Sequence, residues 1–345
     1  MNAEPKFDFG PVRTYAEVQS LRLLRRPTTL FFHARDRLST SLIAGHFKLL
    51  GAFASYAHAS GLGVEILHAN SNTRSLAYEG GHLHVLMEDE PLYLDNCFHC
   101  VPGYLRGYWY FDEVATRNNS TIRLRVFDPR PMNQKFADEF LARLQQTFVA
   151  ANKTKYPQEE RGAHPVAPGS LAFFAQDFRD PQHHRHYMHM TDMIDAAVAC
   201  KGTRRLYIKP HPKQSVEEMQ RLQAYHDPQS GVFVTSASIH DLLEAADVAL
   251  TLTSAVGFEA FLHRVPVVLG GQTDFAQNAV TLTNPAQLGA AIDAALAREW
   301  PFAKFLVWFL RQNCLEDTAK ALPQLLEKVY RKGYAFADLD RKGFF

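Results

Sequence analysis

From residue 170 onward the chain repeats one phrase: a short apolar run, a turn, then an amphipathic stretch. The runs are SLAFFA (170–175), Leu206–Ile208, GVFVT (231–235), VALT (248–251) and PVVLG (266–270). The helical stretches are Tyr187–Cys200, Val216–Tyr225, Ile239–Ala245, Ala255–His263 and Pro285–Arg298. Near-continuous Val/Leu-rich strands are buried on both faces, and alternation with helices covers both faces of a parallel, doubly wound sheet. Ligands of such sheets sit beyond the carboxyl ends of the strands. The alternation thus predicts an α/β fold and tells where a site should be.

The first half carries the same signal more loosely. Thr28–His33, the polar loop Ala34–Thr40 and an amphipathic stretch to about Ser60 read as strand, loop and helix. GVEILH (63–68) and HLHVLM (82–87) read as further strands, with Gly61, Gly63, Gly80 and Gly81 between them. Phe136, Phe140, Leu141, Leu144 and Phe148 recur at helical spacing across Asn133–Asn152. KYPQEERGAHPVAPG (155–169) is charged, proline-rich and aperiodic, and reads as a linker. A chain of 345 residues has room for two cores. The expected division is an N-terminal Rossmann-like domain (1–154), the linker, a second Rossmann-like domain (170–300), and C-terminal helices (301–345) packing back across the first domain.

Bulk properties narrow the function classes. The net charge of +1 gives no electrostatic support for a nucleic-acid partner. MNAEPKFDFGPVRTY lacks the basic-then-apolar pattern of a leader, and FLVWFL (305–310) is far too short to span a bilayer. Four cysteines do not make a disulfide framework in a chain this long. The expectation is a cytoplasmic protein.

Three segments fall at strand ends in the second half. AQDFRDPQHHRH (175–186) gathers Gln176, Asp177, Arg179, Asp180 and three histidines in one loop. RRLYIKPHPKQS (204–215) clamps His211 between Pro210 and Pro212, where proline ends the ladder and stiffens the backbone. In TLTSAVGFEAFLHRVPVVLG (251–270), Thr253 or Ser254 can cap a helix whose first N–H groups suit an anion, with Gly257 keeping bulk away. No P-loop pattern is present. The plain alternatives are a solvated loop, a packed histidine and an ordinary capped helix.

Taken together, these segments resemble the nucleotide-sugar half of a GT-B glycosyltransferase. More narrowly they resemble the bacterial capsule polysaccharide biosynthesis proteins, retaining β-Kdo transferases that use CMP-Kdo and share Gln-x-x-x-Asp and His-Pro signatures. Here these are Gln176…Asp180 and His211-Pro212; the likeness covers roughly residues 170–275. It implies two Rossmann-like domains facing across a cleft. It further implies that Asp180 is the nucleophile of a double displacement, that Gln176 orients it or the sugar, and that His211 contacts the donor. Lys209 and Pro212 would flank that contact, and the amides of Ser254, Ala255 and Val256 would hold the CMP phosphate. Related CMP-sugar enzymes often show paired serines at Thr253-Ser254, so part of the phosphate contact falls to a threonine hydroxyl. Glu259 would bond the ribose, and Arg179, His183, His184 or Arg185 would meet the Kdo carboxylate. The acceptor, a glycan or lipid-linked glycan, needs a base from the first domain. Glu113 and Asp112 in GYWYFDE (107–113) are candidates, with Arg35, Asp36 and Arg37 a second group; each also has a plain surface-charge reading.

Other signals are weaker. Cys97 and Cys100 lack the second pair that zinc needs and read as buried thiols. The cluster His183, His184, His186 and His189 reads as anion-facing; no metal or other cofactor is expected. Asp338-Leu339-Asp340, near the C-terminus, reads as chance. WPFAKFLVWFLRQ (300–312) and 327–345 read as closing helices, with peripheral inner-membrane contact as the alternative. Two rival functions remain: a CMP-sialic acid-dependent sialyltransferase, and a non-catalytic component of a capsule assembly complex. Val114 after Asp112-Glu113 departs from the acidic-acidic-Gly triplet of polysialyltransferases.

Overall fold

The structure is a computed structural model that describes residues 8, 10–14, 17, 29–79, 81–176 and 185–332. It divides into two compact units. Unit 1 comprises 1–103, 107–121 and 310–345; unit 2 comprises 104–106 and 122–309.

Unit 1 is built on a parallel sheet of β1 (Val12–Arg13), β2 (Thr29–Ala34), β3 (Gly63–His68), β4 (Leu83–Leu86) and β5 (Cys97–His99), in the order β1-β3-β2-β4-β5. Every residue of β2 is buried, as a strand covered on both faces requires. The helix Lys48–Ala59 turns Leu49, Leu50, Phe53, Ala54 and Ala57 inward at i, i+3/i+4 spacing. Trp109 in the short strand β6 (Tyr108–Trp109) and Phe111 complete that core; Phe98 and Phe111 stack with centroids 4.6 Å apart. Cys97 and Cys100 are free, buried thiols, and burial pushes Cys97 up to about 12.

Unit 2 is built on β7 (Ser170–Phe174), β8 (Leu206–Lys209), β9 (Val232–Val234), β10 (Ala246–Thr251), β11 (Val267–Leu269) and β12 (Val280–Thr281). Their order is β12-β11-β10-β7-β8-β9, all parallel. The chain winds outward from β7 through β8 to β9, then from β10 through β11 to β12. The winding therefore reverses between β7 and β10, whose carboxyl ends flank the crevice where open α/β sheets hold ligands. An aromatic cluster of Phe258, Phe261, Phe275, Phe305 and Phe309 sits beside this sheet. Each such ring contributes on the order of 2–3 kcal/mol by burial.

Several elements depart from the expected pattern. Residues 122–169 fall in unit 2, where the expected boundary lies at 154, because the helix Gln134–Leu144 packs on the helix Phe302–Val307 and Gln145 Nε2 donates to the Leu262 carbonyl at 2.7 Å. The helix expected from Tyr187 begins at Met190; before it, Tyr187 N–H donates to the Gly270 carbonyl at 2.9 Å. Ala255–His263 is an α-helix only to Glu259 and continues as a 3-10 turn, stopped by Arg264 at φ 57°.

The expected linker is tied down throughout. Ser238 Oγ donates to Asn152 Oδ1 at 2.7 Å, Ile239 N–H to Gln158 Oε1 at 3.0 Å and Gly162 N–H to Asp241 Oδ2 at 2.8 Å. Arg161 pairs with Asp241 and Glu244. Finally, β13 (Leu315–Glu316) pairs antiparallel with β6, and the helix Leu322–Arg331 sends Leu325, Leu326 and Val329 into the core of unit 1. Among the described residues, no helix is long and apolar enough to cross a membrane. Asp338-Leu339-Asp340 lies outside them.

Candidate active site

Gln176 follows β7, the first of the two strands at the reversal. Its side chain is 7% exposed and spends both ends of its amide on one residue. Nε2 donates to Thr253 Oγ1 at 3.0 Å, and Oε1 accepts from Thr253 N–H at 2.7 Å. Thr253 follows β10, so this bidentate contact bridges the crevice floor. His186 Nε2 lies 3.1 Å from the same hydroxyl. Thr253 therefore seats the residues on both sides of 177–184. Asp180, Arg179 and His184, with His183, lie outside the described residues.

This geometry reassigns Thr253. Its hydroxyl, expected to share a phosphate contact, is buried at 6% exposure and held by Gln176 and His186. Two glycines make room for the arrangement. A Cβ on Gly271 would lie 2.6 Å from Thr253 Cγ2 and 2.8 Å from the Arg185 carbonyl oxygen. On Gly270 it would lie 2.6 Å from Leu252 Cδ2. Replacing Gln176 by Ala is expected to cost about 1–3 kcal/mol, since a buried N–H and hydroxyl lose their partner. A melting temperature equal to wild type would contradict that role.

The His211 loop joins the same network. β8 ends at Lys209, and Ser215 opens the next helix with a capping box: Ser215 Oγ accepts from Glu218 N–H at 3.2 Å, and Ser215 N–H donates to Glu218 Oε2 at 2.7 Å. Between these ends, His211 N–H donates to Gln214 Oε1 at 2.9 Å, and Gln214 Nε2 donates to the Gln176 carbonyl at 3.2 Å. Lys213 N–H donates to His211 Nδ1 at 3.2 Å, which places the proton of the neutral ring on Nε2. Lys209, expected at the donor, points its ammonium at the carbonyls of Ser236 (2.9 Å) and Ala237 (2.6 Å); burial lowers its pKa to about 8. Pro212 is exposed.

Beyond Thr253, Ser254 caps the helix Ala255–Glu259. Its Oγ accepts from Val256 N–H at 3.2 Å, so of the three expected amides those of Ser254 and Ala255 are left ahead of the cap. Gly257 serves packing: a Cβ there would lie 3.2 Å from Phe275 Cε2. Glu259 is 3% exposed; burial pushes its carboxyl up to about 8, opposed by the field of Lys155.

The acceptor-side candidates belong to unit 1. Asp112 is excluded as a base by its bonding. Oδ1 accepts from Val114 N–H (3.0 Å) and Ala115 N–H (3.2 Å), and Oδ2 accepts from Thr121 N–H (2.9 Å) and Oγ1 (2.7 Å). Four bonds make it the organiser of a turn. Glu113 is half-buried, and its charge opposes the burial that lowers the pKa of Lys332. Arg35, Asp36 and Arg37 are exposed, with Asp36 3.5 Å from His68. Among the described residues no three His, Cys, Asp or Glu side chains group to hold a metal ion. Sequence reasoning missed Gln214, His186 as an anchor and the Gly270-Gly271 pair, although all but Gly271 stood in segments already singled out.

Residues 174–294 match the family model described as capsule polysaccharide biosynthesis protein. No curated protein matches the sequence. The fold is similar to that of Thermosulfurimonas dismutans KpsC, a β-Kdo 2,7 transferase, with a TM-score of 0.53 at 13% identity over 88% of this chain and 99% of that one. A second T. dismutans KpsC structure, a β-Kdo 2,4 transferase, aligns at a TM-score of 0.48 and 16% identity over 81% and 89%. A segment similar to the capsule polysaccharide biosynthesis model, residues 174–294, thus lies within a GT-B fold.

Proposed function

We propose that the protein is a glycosyltransferase that moves β-Kdo from CMP-Kdo to a glycan or glycolipid acceptor with retention of configuration. The observation that carries this reading is the single hydrogen-bonded chain from the His211 loop through Gln214 and Gln176 to Thr253. It links Gln176, the His211 loop and the residue before the Ser254 cap into one floor at the reversal of the sheet. A preorganised floor of this kind suits a site that must meet developing charge without further ordering.

On this reading Asp180 attacks C2 of Kdo as the C2–O bond to phosphate breaks, and CMP leaves with the electron pair. The acceptor hydroxyl, deprotonated by a base of unit 1, then attacks C2 and releases Asp180, so two inversions give retention. Glu113 is our candidate for that base. The phosphate is held by the Ser254 and Ala255 amides and by His211 Nε2–H, without a metal ion. Arg179 and His184 meet the Kdo carboxylate, and Glu259 meets the ribose. Gln176 acts through Thr253 as a positioning residue.

The test is a donor screen with CMP-Kdo, CMP-sialic acid and UDP-sugars, read by nucleotide release. Turnover is expected with CMP-Kdo alone, and is expected to be nearly lost in His211→Ala with the melting temperature retained. Turnover of CMP-sialic acid or UDP-sugars instead would overturn the donor assignment.

A further inference from the structure

The aperiodic segment before β7 does more than connect. Between its anchors at Asn152 and Gln158 it forms a turn braced from inside. Thr154 Oγ1 donates to the Tyr156 carbonyl at 2.8 Å, and Gln158 Nε2 donates to Thr154 Oγ1 (3.1 Å) and to the carbonyls of Tyr156 (3.2 Å) and Pro157 (3.1 Å). His240 Nε2 lies 3.3 Å from the Lys153 carbonyl, a further tie just before the turn. Compact loops packed by their own side chains frequently carry function.

This turn presents two residues. Tyr156 meets the His211 ring edge to face, centroids 5.3 Å apart at 86°. Lys155 and Lys213 flank the Tyr156 ring, their ammonium groups 5.5 and 6.0 Å from its centroid. Lys155 is also the charge whose field reaches Glu259. The turn therefore lies against the His211 loop.

We propose that the turn Thr154–Pro157 is a third wall of the donor site, in which Lys155 meets the phosphate of the sugar nucleotide and Tyr156 holds the His211 ring in its working orientation. The inference rests on the donor-site reading above. Lys155 supplies the positive charge that the two amides and a neutral imidazole lack. It stands on a rigid turn, so little side-chain order beyond its own stem is lost on binding. Tyr156 restricts the rotation of His211 that its backbone prolines leave open.

Binding of CMP and of cytidine to wild type, Lys155→Ala and Tyr156→Ala, by calorimetry, tests this. Lys155 is exposed, so its removal should leave the melting temperature within a degree or two. Lys155→Ala is expected to weaken CMP binding at least about tenfold, or 1.4 kcal/mol, and to leave cytidine binding unchanged. Tyr156→Ala is expected to lower kcat more than CMP affinity, with Tyr156→Phe restoring it. Wild-type affinity for CMP in Lys155→Ala overturns the inference and leaves the donor reading standing. Failure of the wild-type protein to bind any nucleotide overturns both.

Discussion

Asp180→Asn is expected to lower transfer from CMP-Kdo by at least about a thousandfold, some 4 kcal/mol of transition-state stabilisation. On the proposed mechanism an amide has the shape of the carboxylate but not the charge to capture a cation forming at C2 as CMP departs. The substitution should leave CMP affinity within about threefold, because the proposed phosphate contacts come from other segments. Gln176 and His186, both seated on Thr253, bracket the stretch that carries Asp180, so an isosteric change there should not disturb the floor. The direct measurement is intact mass after mixing with CMP-Kdo in the absence of acceptor. Wild type should gain the mass of one Kdo residue, and Asp180→Asn should gain none. An inverted product, or an Asp180→Asn enzyme within tenfold of wild type, would remove the covalent step.

What could be read from the sequence follows the physics of each feature. Five strands of unit 2 and the helix Ile239–Ala245 were legible because burial on a parallel sheet writes itself as near-continuous apolar runs alternating with helical stretches. β5, β6 and β12, each two or three residues long, were not read as strands. The turn at Lys155–Tyr156 was read as linker because its order comes from scattered side chains, Asn152, Gln158 and Arg161, which no periodicity announces.

At the site, Gln176 and His211 stood out by position, but the partition between Thr253 and Ser254 could not be read. Both can cap a helix. Only the packing of Gln176 decides that Thr253 faces the interior and Ser254 performs the cap. Asp112 misled for the same reason. A carboxylate beside aromatics is a plausible base until its four hydrogen-bond partners are known, and three of those four are backbone N–H groups invisible to residue type.

Glu259→Gln should stabilise the protein at alkaline pH and do little at pH 5. In the unfolded chain this carboxyl titrates near 4.5; in the fold, burial holds it near 8. Between those values the unfolded state gives up its proton while the native state keeps it, so the unfolded state binds fewer protons. Stability must then fall as pH rises through that window and level off above it. Each unit of separation is worth about 1.4 kcal/mol, so the penalty at pH 8.5 is on the order of 3–5 kcal/mol. Glutamine carries no such penalty, and denaturant melts at pH 5, 7 and 8.5 should diverge from wild type progressively. An equal difference at all three pH values would mean the carboxyl is not held protonated by the fold. The same substitution reports on function, because a neutral carboxyl offers one donor and one acceptor, which an amide reproduces. CMP affinity at pH 7 should therefore stay within about threefold in Glu259→Gln. If the ribose is instead met by an ionised carboxylate, that affinity drops more than tenfold while the stability result is unchanged, which separates the electrostatics of the fold from those of the site.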